Sequence, residues 1–387
     1  MCEKKSLSLL LLCVLFLLLF ALTPLRAAAS SESEESDLLE AAEEYLALDE
    51  IEETLSELLD TEEFSFWETV KALLSGTVPF HWDGLVSIFS GLLLGEWRQQ
   101  KQLAAQLLLV ALVSAIFSNF VRVFDSRQIS DISFYMTYLV ITALLLDAFS
   151  GLVQMVADTC ATLNTFVEIL LPSYVITIVL SAGSVTAMGF YEVAVLAVGL
   201  IQAAVIRLVL PAIRFYMVVL LLNQLSSDAV FSRLARFLET VISWGIKSLL
   251  GVVVGLQTVQ CLVTPAVDSL KNSALSRMIS VIPGIGSVLS AAAETVAGSA
   301  VVIKNAVGVA GILALLMICL APLVKLAVCV LLFRLICAAI QPVCEKRMVE
   351  GIESISDGTL LLLRVLLSVL AMFAILLAMI TAAVRGA

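Results

Sequence analysis

Apolar residues run along this chain in eight long blocks, at roughly 103–121, 132–157, 166–188, 190–222, 246–263, 279–300, 306–340 and 359–383. About twenty apolar residues suffice for a helix to cross a bilayer. The pattern therefore predicts an all-α polytopic membrane protein with about 7–8 membrane segments. Two blocks are too long for one simple crossing. As a helix, 190–222 would measure about 50 Å at 1.5 Å per residue, and 306–340 is similar. Each has a proline near its middle, Pro211 and Pro322, so a kinked or broken helix is expected in both.

Upstream the pattern changes twice. Residues 1–29 combine Lys4 and Lys5, an apolar run from Leu7 to Leu22, and the small residues Ala27, Ala28 and Ala29. That is the layout of a secretory signal peptide. An uncleaved signal anchor is the other reading, and both leave the next segment on the exported side. In 30–71, Leu38, Ala42, Tyr45, Leu48, Ile51, Leu55, Leu58 and Leu59 recur at spacings of three and four, with glutamates between them. This predicts an acidic amphipathic helix, which either packs on its own protein or docks a partner. Residues 72–102 follow with Phe80, Trp82, Phe89 and Trp97 and few charges, as expected of a segment at the membrane surface. His81 is the only histidine and has no evident partner for catalysis. The polytopic domain is 103–387.

Composition sharpens this. The chain is 61% hydrophobic and 14% charged, outside the range of ordinary soluble domains. Its formal net charge of −11 is concentrated in 30–71, which hold sixteen Asp/Glu and one Lys. No large basic run exists, so nucleic-acid binding has no support. The cysteines lie in or beside apolar blocks with no CxxC spacing, so no metal site or disulfide framework is expected. No HExxH, GxSxG or GxxxxGK[ST] occurs, so no catalytic residue, cofactor or nucleotide loop is assigned and the chain is not expected to be an enzyme. Arg122 and Arg127 place the loop after the first block in the cytoplasm, in keeping with an exported N-terminal segment.

Comparing the chain with itself gives a recurrent offset of 111 residues. Pro172 pairs with Pro283, Pro211 with Pro322, Arg214 with Lys325 and Glu239 with Glu350. An internal duplication would give units near 123–230 and 234–341 and a partial third at 345–385; chance matching among apolar residues is the alternative. Repeats with discontinuous helices at their interface are common in transport folds. Pro283, Gly284 and Gly286 would free backbone groups that lipid cannot satisfy. Glu294, Lys304 and Asn305 are costly in hydrocarbon and should face the bundle interior or a polar path. With Pro172, Glu192, Pro211, Arg214, Pro322 and Lys325 they make up the candidate polar-path and helix-break residues. Helix-to-helix packing is the plainer role for the same groups.

The block "IPGIGSVLSAAAETVAGSAVVIKNAVG" at Ile282, the block "LPAIRFYMVVLLLNQLS" at Leu210 and the order of signal, acidic segment and apolar body resemble the stage III sporulation protein AE family of endospore-forming bacteria. The resemblance covers most of the mature chain. It implies a multi-pass protein of the mother-cell membrane around the forespore. It also implies work with other stage III sporulation A proteins and, indirectly, with the forespore membrane protein stage II sporulation protein Q, in a channel-like oligomeric complex. The function expected is a membrane component of that complex, its permease-like part. The alternative is a scaffold that seats the other subunits without conducting.

Overall fold

The structure is a computed structural model and describes residues 51–55, 65–75, 82–123, 127–182, 184–225, 230–279 and 286–383. Among these there are helices and turns and no strand. The elements are α1 (Phe66–Leu74), α2 (Trp82–Val123), α3 (Arg127–Ala182), α4 (Ser184–Ala204), a π-helical turn (Val205–Val209), α5 (Leu210–Leu225), α6 (Ser232–Ile279), α7 (Gly286–Ile340) and α8 (Lys346–Ala383). Five stretches are long and apolar enough to cross a membrane: Tyr135–Val179, Ala187–Leu225, Ser232–Gln260, Gly298–Ile340 and Lys346–Thr381. Gln100–Val113 is a shorter apolar helix. The chain is a membrane protein.

The apolar blocks do not map one to one onto helices. Blocks 132–157 and 166–188 share α3 as far as Ala182, and 279–300 shares α7 with 306–340 from Gly286 onward. The prolines account for much of the difference. Pro172 lies inside α3 and Pro322 inside α7, and neither interrupts its helix. A helical proline forfeits one backbone hydrogen bond and crowds the carbonyl four residues back. Neighbouring helices and local adjustment can absorb that cost in a membrane bundle. Pro211 differs, because it directly follows the π-helical turn, where the Leu210 N–H reaches back to the Val205 carbonyl. Pro211 has no N–H to give Arg207, so the wide turn forms where the α-ladder already lacks a bond. Residues 280–285, which include Pro283 and Gly284, lie outside the described residues, as do the signal peptide and residues 30–50.

The inner helix is α8. Its most apolar window is 78% buried, against 22% for α6. It packs most extensively on α7 and also touches α3, α5 and α6. Leu366, Leu370, Phe373 and Leu377 belong to its buried surface. Glycine allows one close crossing. A Cβ on Gly308 would collide with Thr381 and stand 2.8 Å from the Tyr174 hydroxyl, and one on Gly311 would stand 2.8 Å from Leu170. Here α3, α7 and α8 meet, as small residues permit in membrane bundles. The Thr381 hydroxyl donates to the Leu377 carbonyl (2.6 Å), so the Tyr174 hydroxyl donates to Thr381 (2.8 Å). Farther along α3, the buried Tyr138 hydroxyl donates to the Leu221 carbonyl (2.8 Å) and ties α3 to α5.

At the start, α1 buries Phe66, Val70, Leu73 and Leu74 on one face and packs on α7. Ser65 caps it, accepting from the Glu68 N–H (3.2 Å). The Glu52 carboxylate accepts from the N–H groups of Phe66 (2.8 Å) and Trp67 (3.1 Å). Those are first-turn donors with no intrahelical acceptor, and a carboxylate there also suits the helix dipole. Ile51 and Leu55 are buried beside them. This end of the acidic segment therefore packs on its own chain.

Candidate functional site: a polar seam along an outward helix face

Helix α3 is two-faced. Leu163, Phe166, Val167, Leu170 and Tyr174 point into the core. On the other side Asp147, Gln154, Asp158, Thr165, Glu168 and Pro172 are exposed. At 100° per residue these six fall within an arc of about 80°. From Asp147 to Glu168 they cover about 32 Å of helix, close to the roughly 30 Å of a bilayer's hydrocarbon.

The next helices extend this face. Helix α4 runs back along α3 and exposes Glu192 and Gly199; Arg207, Pro211 and Arg214 are exposed on the π-turn and α5. One hydrogen-bonded row crosses between the helices. Arg214 Nη2 donates to Gln154 Oε1 (3.4 Å), and Gln154 Nε2 donates to Asp158 Oδ1 (2.9 Å). Asn164, itself buried, donates to Glu168 Oε1 (2.8 Å). The Arg214–Gln154 contact and the Tyr138–Leu221 bond mark two levels at which α3 and α5 run side by side. Arg207, two turns before Arg214, and Asp158, one turn after Gln154, are both exposed. These two charges sit near the middles of the apolar stretches Tyr135–Val179 and Ala187–Leu225.

The energetics are one-sided. A charge at the centre of a lone transmembrane helix costs about 2.5–3.5 kcal/mol on insertion scales. Six ionisable groups (Asp147, Asp158, Glu168, Glu192, Arg207 and Arg214) share this face. Lipid is the least favourable neighbour for it; water or polar protein is the favourable one.

Of the candidate residues read from sequence, Pro172, Glu192, Pro211 and Arg214 are exposed on α3, α4 and α5, and Arg214 is bonded to Gln154 of α3. The others lie elsewhere. Lys304 is fully buried on α7, one turn before Gly308, and Asn305 beside it is half-buried. Lys325 approaches Glu96 of α2 at 3.9 Å, and Pro322 lies three residues before it. Gly286 is the first residue of α7; Glu294 lies on α7, its side chain outside the described set, and Pro283 and Gly284 lie outside it altogether. The seam residues missed from sequence are Asp147, Gln154, Asp158, Thr165, Gly199 and Arg207. Their signal was the 7-4 spacing of the first three, which keeps them on one helical face.

A second polar feature lies between α5, α6 and α8. Tyr216, Glu239, Asp357, Leu360, Leu361 and Arg364 line a cavity of about 160 Å³. An adjoining groove of about 460 Å³ runs along α6 past Arg236, Glu239, Ser243 and Lys247. Asp357 and Arg364 are seven residues apart on α8, two turns along one face. Among the described residues no group of three His, Cys, Asp or Glu could hold a metal ion.

The profile of the family described as stage III sporulation protein AE matches residues 64–384. The chain belongs to the stage III sporulation protein AE family. A relative of that name from Bacillus subtilis (strain 168) is 21% identical over 365 residues, spanning 89% of this chain and 90% of the relative. No solved structure matches. Family membership gives the chain a role in sporulation. The family match spans all of α1 to α8, and so includes every seam residue.

Proposed function

We propose that this protein is a membrane component of the channel-like complex between mother cell and forespore, and that its α3–α4–α5 seam lines the polar route. The seam's exposure over about the thickness of a bilayer supports this reading above all. The protein sits in the mother-cell membrane around the forespore, with the acidic segment on the exported side. Its partners are other stage III sporulation A proteins and, through them, stage II sporulation protein Q. Energy comes from a partner, since the chain has no nucleotide loop. The 111-residue offset in the sequence supports an ancestral duplication, although Pro211 follows a π-helical turn and Pro322 lies within an unbroken α7.

The scaffold reading has its own support. Helix α6 is weakly buried and exposes Phe237, Val241, Trp244 and Val259, a face suited to seating another subunit. Replacing Asp158 with Asn and Arg207 with Gln separates the two roles. The route reading expects sporulation to fail while the complex still co-purifies. If sporulation proceeds normally, or the complex itself is lost, the route reading fails.

A further inference from the structure

We propose that the groove on α6 and the cavity beside it hold the headgroup of a membrane phospholipid that carries both a phosphate and a primary ammonium group. The proposal stands apart from the route reading, because α6 and α8 supply every lining residue except Tyr216.

Helix α6 sorts its outer surface by angle. At 100° per residue, Arg236, Thr240, Ser243 and Lys247 fall within an arc of about 60°. Glu239 stands about 40° to one side of that stripe, where it also lines the cavity shared with α5 and α8. Phe237, Val241 and Trp244 lie on the other side and are exposed. The surface thus passes from carboxylate through cations to apolar side chains. The charges divide in the same order. Arg236 and Lys247 are about 16 Å apart along the axis, and neither has an ion-pair partner among the described residues. The cavity sets two carboxylates, Glu239 and Asp357, against one guanidinium, Arg364. These three groups and Tyr216 are each engaged within the chain, so they are positioned before a ligand arrives. A simple anion matches the groove and not the cavity; a simple cation does the reverse. A dipolar headgroup meets both, its phosphate accepting from the cations and its ammonium donating to the carboxylates. The cavity's volume of about 160 Å³ is ample for the ammonium, since a water needs only about 15 Å³ of such space.

The surroundings make the ligand a lipid. The groove lies on Ser232–Gln260, a stretch apolar enough to cross a membrane. Acyl chains therefore adjoin Phe237, Val241 and Trp244. At about 43 Å this stretch is longer than the roughly 30 Å of hydrocarbon, and its charged first turns, with Arg233, Arg236 and Glu239, are the end suited to the headgroup layer. Lys247, deeper, reaches toward that layer, because helical side chains lean toward the N-terminus and long cations snorkel. Basic pockets between membrane helices are known headgroup sites.

The test reads Trp244 in the full-length chain held in phosphatidylcholine nanodiscs. Lipids with brominated acyl chains quench a tryptophan that they touch. Subtracting the signal of Trp244→Phe removes the other three tryptophans. Brominated phosphatidylethanolamine should quench Trp244 at a lower mole fraction than brominated phosphatidylglycerol or phosphatidylcholine. Arg236→Gln and Lys247→Gln should each weaken that preference about fivefold, the worth of one cation near a membrane surface. Glu239→Gln combined with Asp357→Asn should bring phosphatidylethanolamine down to the level of phosphatidylcholine, whose ammonium has no N–H to donate. Equal quenching by the three lipids overturns the site and leaves ordinary boundary lipid. A preference for phosphatidylglycerol overturns it too, because the carboxylates then take no part. Quenching by none of them places another subunit on this face and overturns it as well. If the charge variants fail to accumulate, successive N-methylation of the ethanolamine decides with the native groove. The preference must fall as N–H donors are lost, and indifference to methylation overturns the proposal.

Discussion

The two faces of α3 have opposite surroundings on one helix. The inward face meets α7 and α8 at a crossing so close that Gly308 and Gly311 leave no room for a side chain, and there the Tyr174 hydroxyl is satisfied by Thr381. The outward face carries Asp147, Asp158 and Glu168 in the open. The inner face is specified by shape, and a methyl group is enough to disturb it. The outer face is specified by charge, and shape matters little there. Carboxylates on the side of a membrane helix away from its own core cost least beside water or polar protein and most beside lipid.

Substitutions can break that contrast, beginning with the most damaging. Gly308→Leu drives a branched side chain into Thr381 and Tyr174. Overpacking typically costs about 1–3 kcal/mol and occasionally more, so folded protein should fall sharply in detergent extracts followed by size-exclusion chromatography. Tyr174→Phe removes one buried hydrogen bond and leaves Thr381 still donating to Leu377. A loss of about 1 kcal/mol is expected, read as a lowered thermal midpoint. Asp158→Asn should change stability by no more than about 0.5 kcal/mol, as exposed positions do, while sporulation efficiency drops. Equal loss of stability at Asp158 and Gly308 would erase the distinction between the faces. The mildest probe is chemical. Cys344 lies in the turn between α7 and α8, its thiol donating to the Ala111 carbonyl (3.4 Å), and burial pushes its pKa up. The thiolate is the reactive form, and a raised pKa keeps the thiol protonated until higher pH. Cys344 should therefore label more slowly than Gln154→Cys at neutral pH, and its rate should climb as pH rises. Fast labelling at neutral pH would show that this end of the bundle is open.

The helical class was legible in the sequence from its long apolar blocks, but the burial of α8 was not, because an apolar membrane helix suits lipid as well as a bundle interior and 359–383 is no more apolar than its neighbours. Of Pro172, Pro211 and Pro322, two leave their helices unbroken, while Pro211 marks an irregular turn as expected. Pro172 and Pro322 read as breaks because local chemistry forbids their missing bonds, whereas packing in the bundle overrides it. The seam was half legible. Glu192 and Arg214 stand out as charges in apolar runs, but so do Lys304 and Lys325, which lie elsewhere on α7. Charge alone does not reveal which way a side chain faces. Asp147, Gln154 and Asp158 could have been found by counting their spacing. The meeting of Gln154 with Arg214, sixty residues apart, is tertiary and had no local signature.

Glu52 has a mechanical consequence. By accepting two backbone bonds at the start of α1, its carboxylate ties residues 51–55 to the bundle, where Ile51 and Leu55 are also buried. A pull on the chain ahead of Ile51 is therefore delivered to α1, and through Val70 and Leu73 to α7.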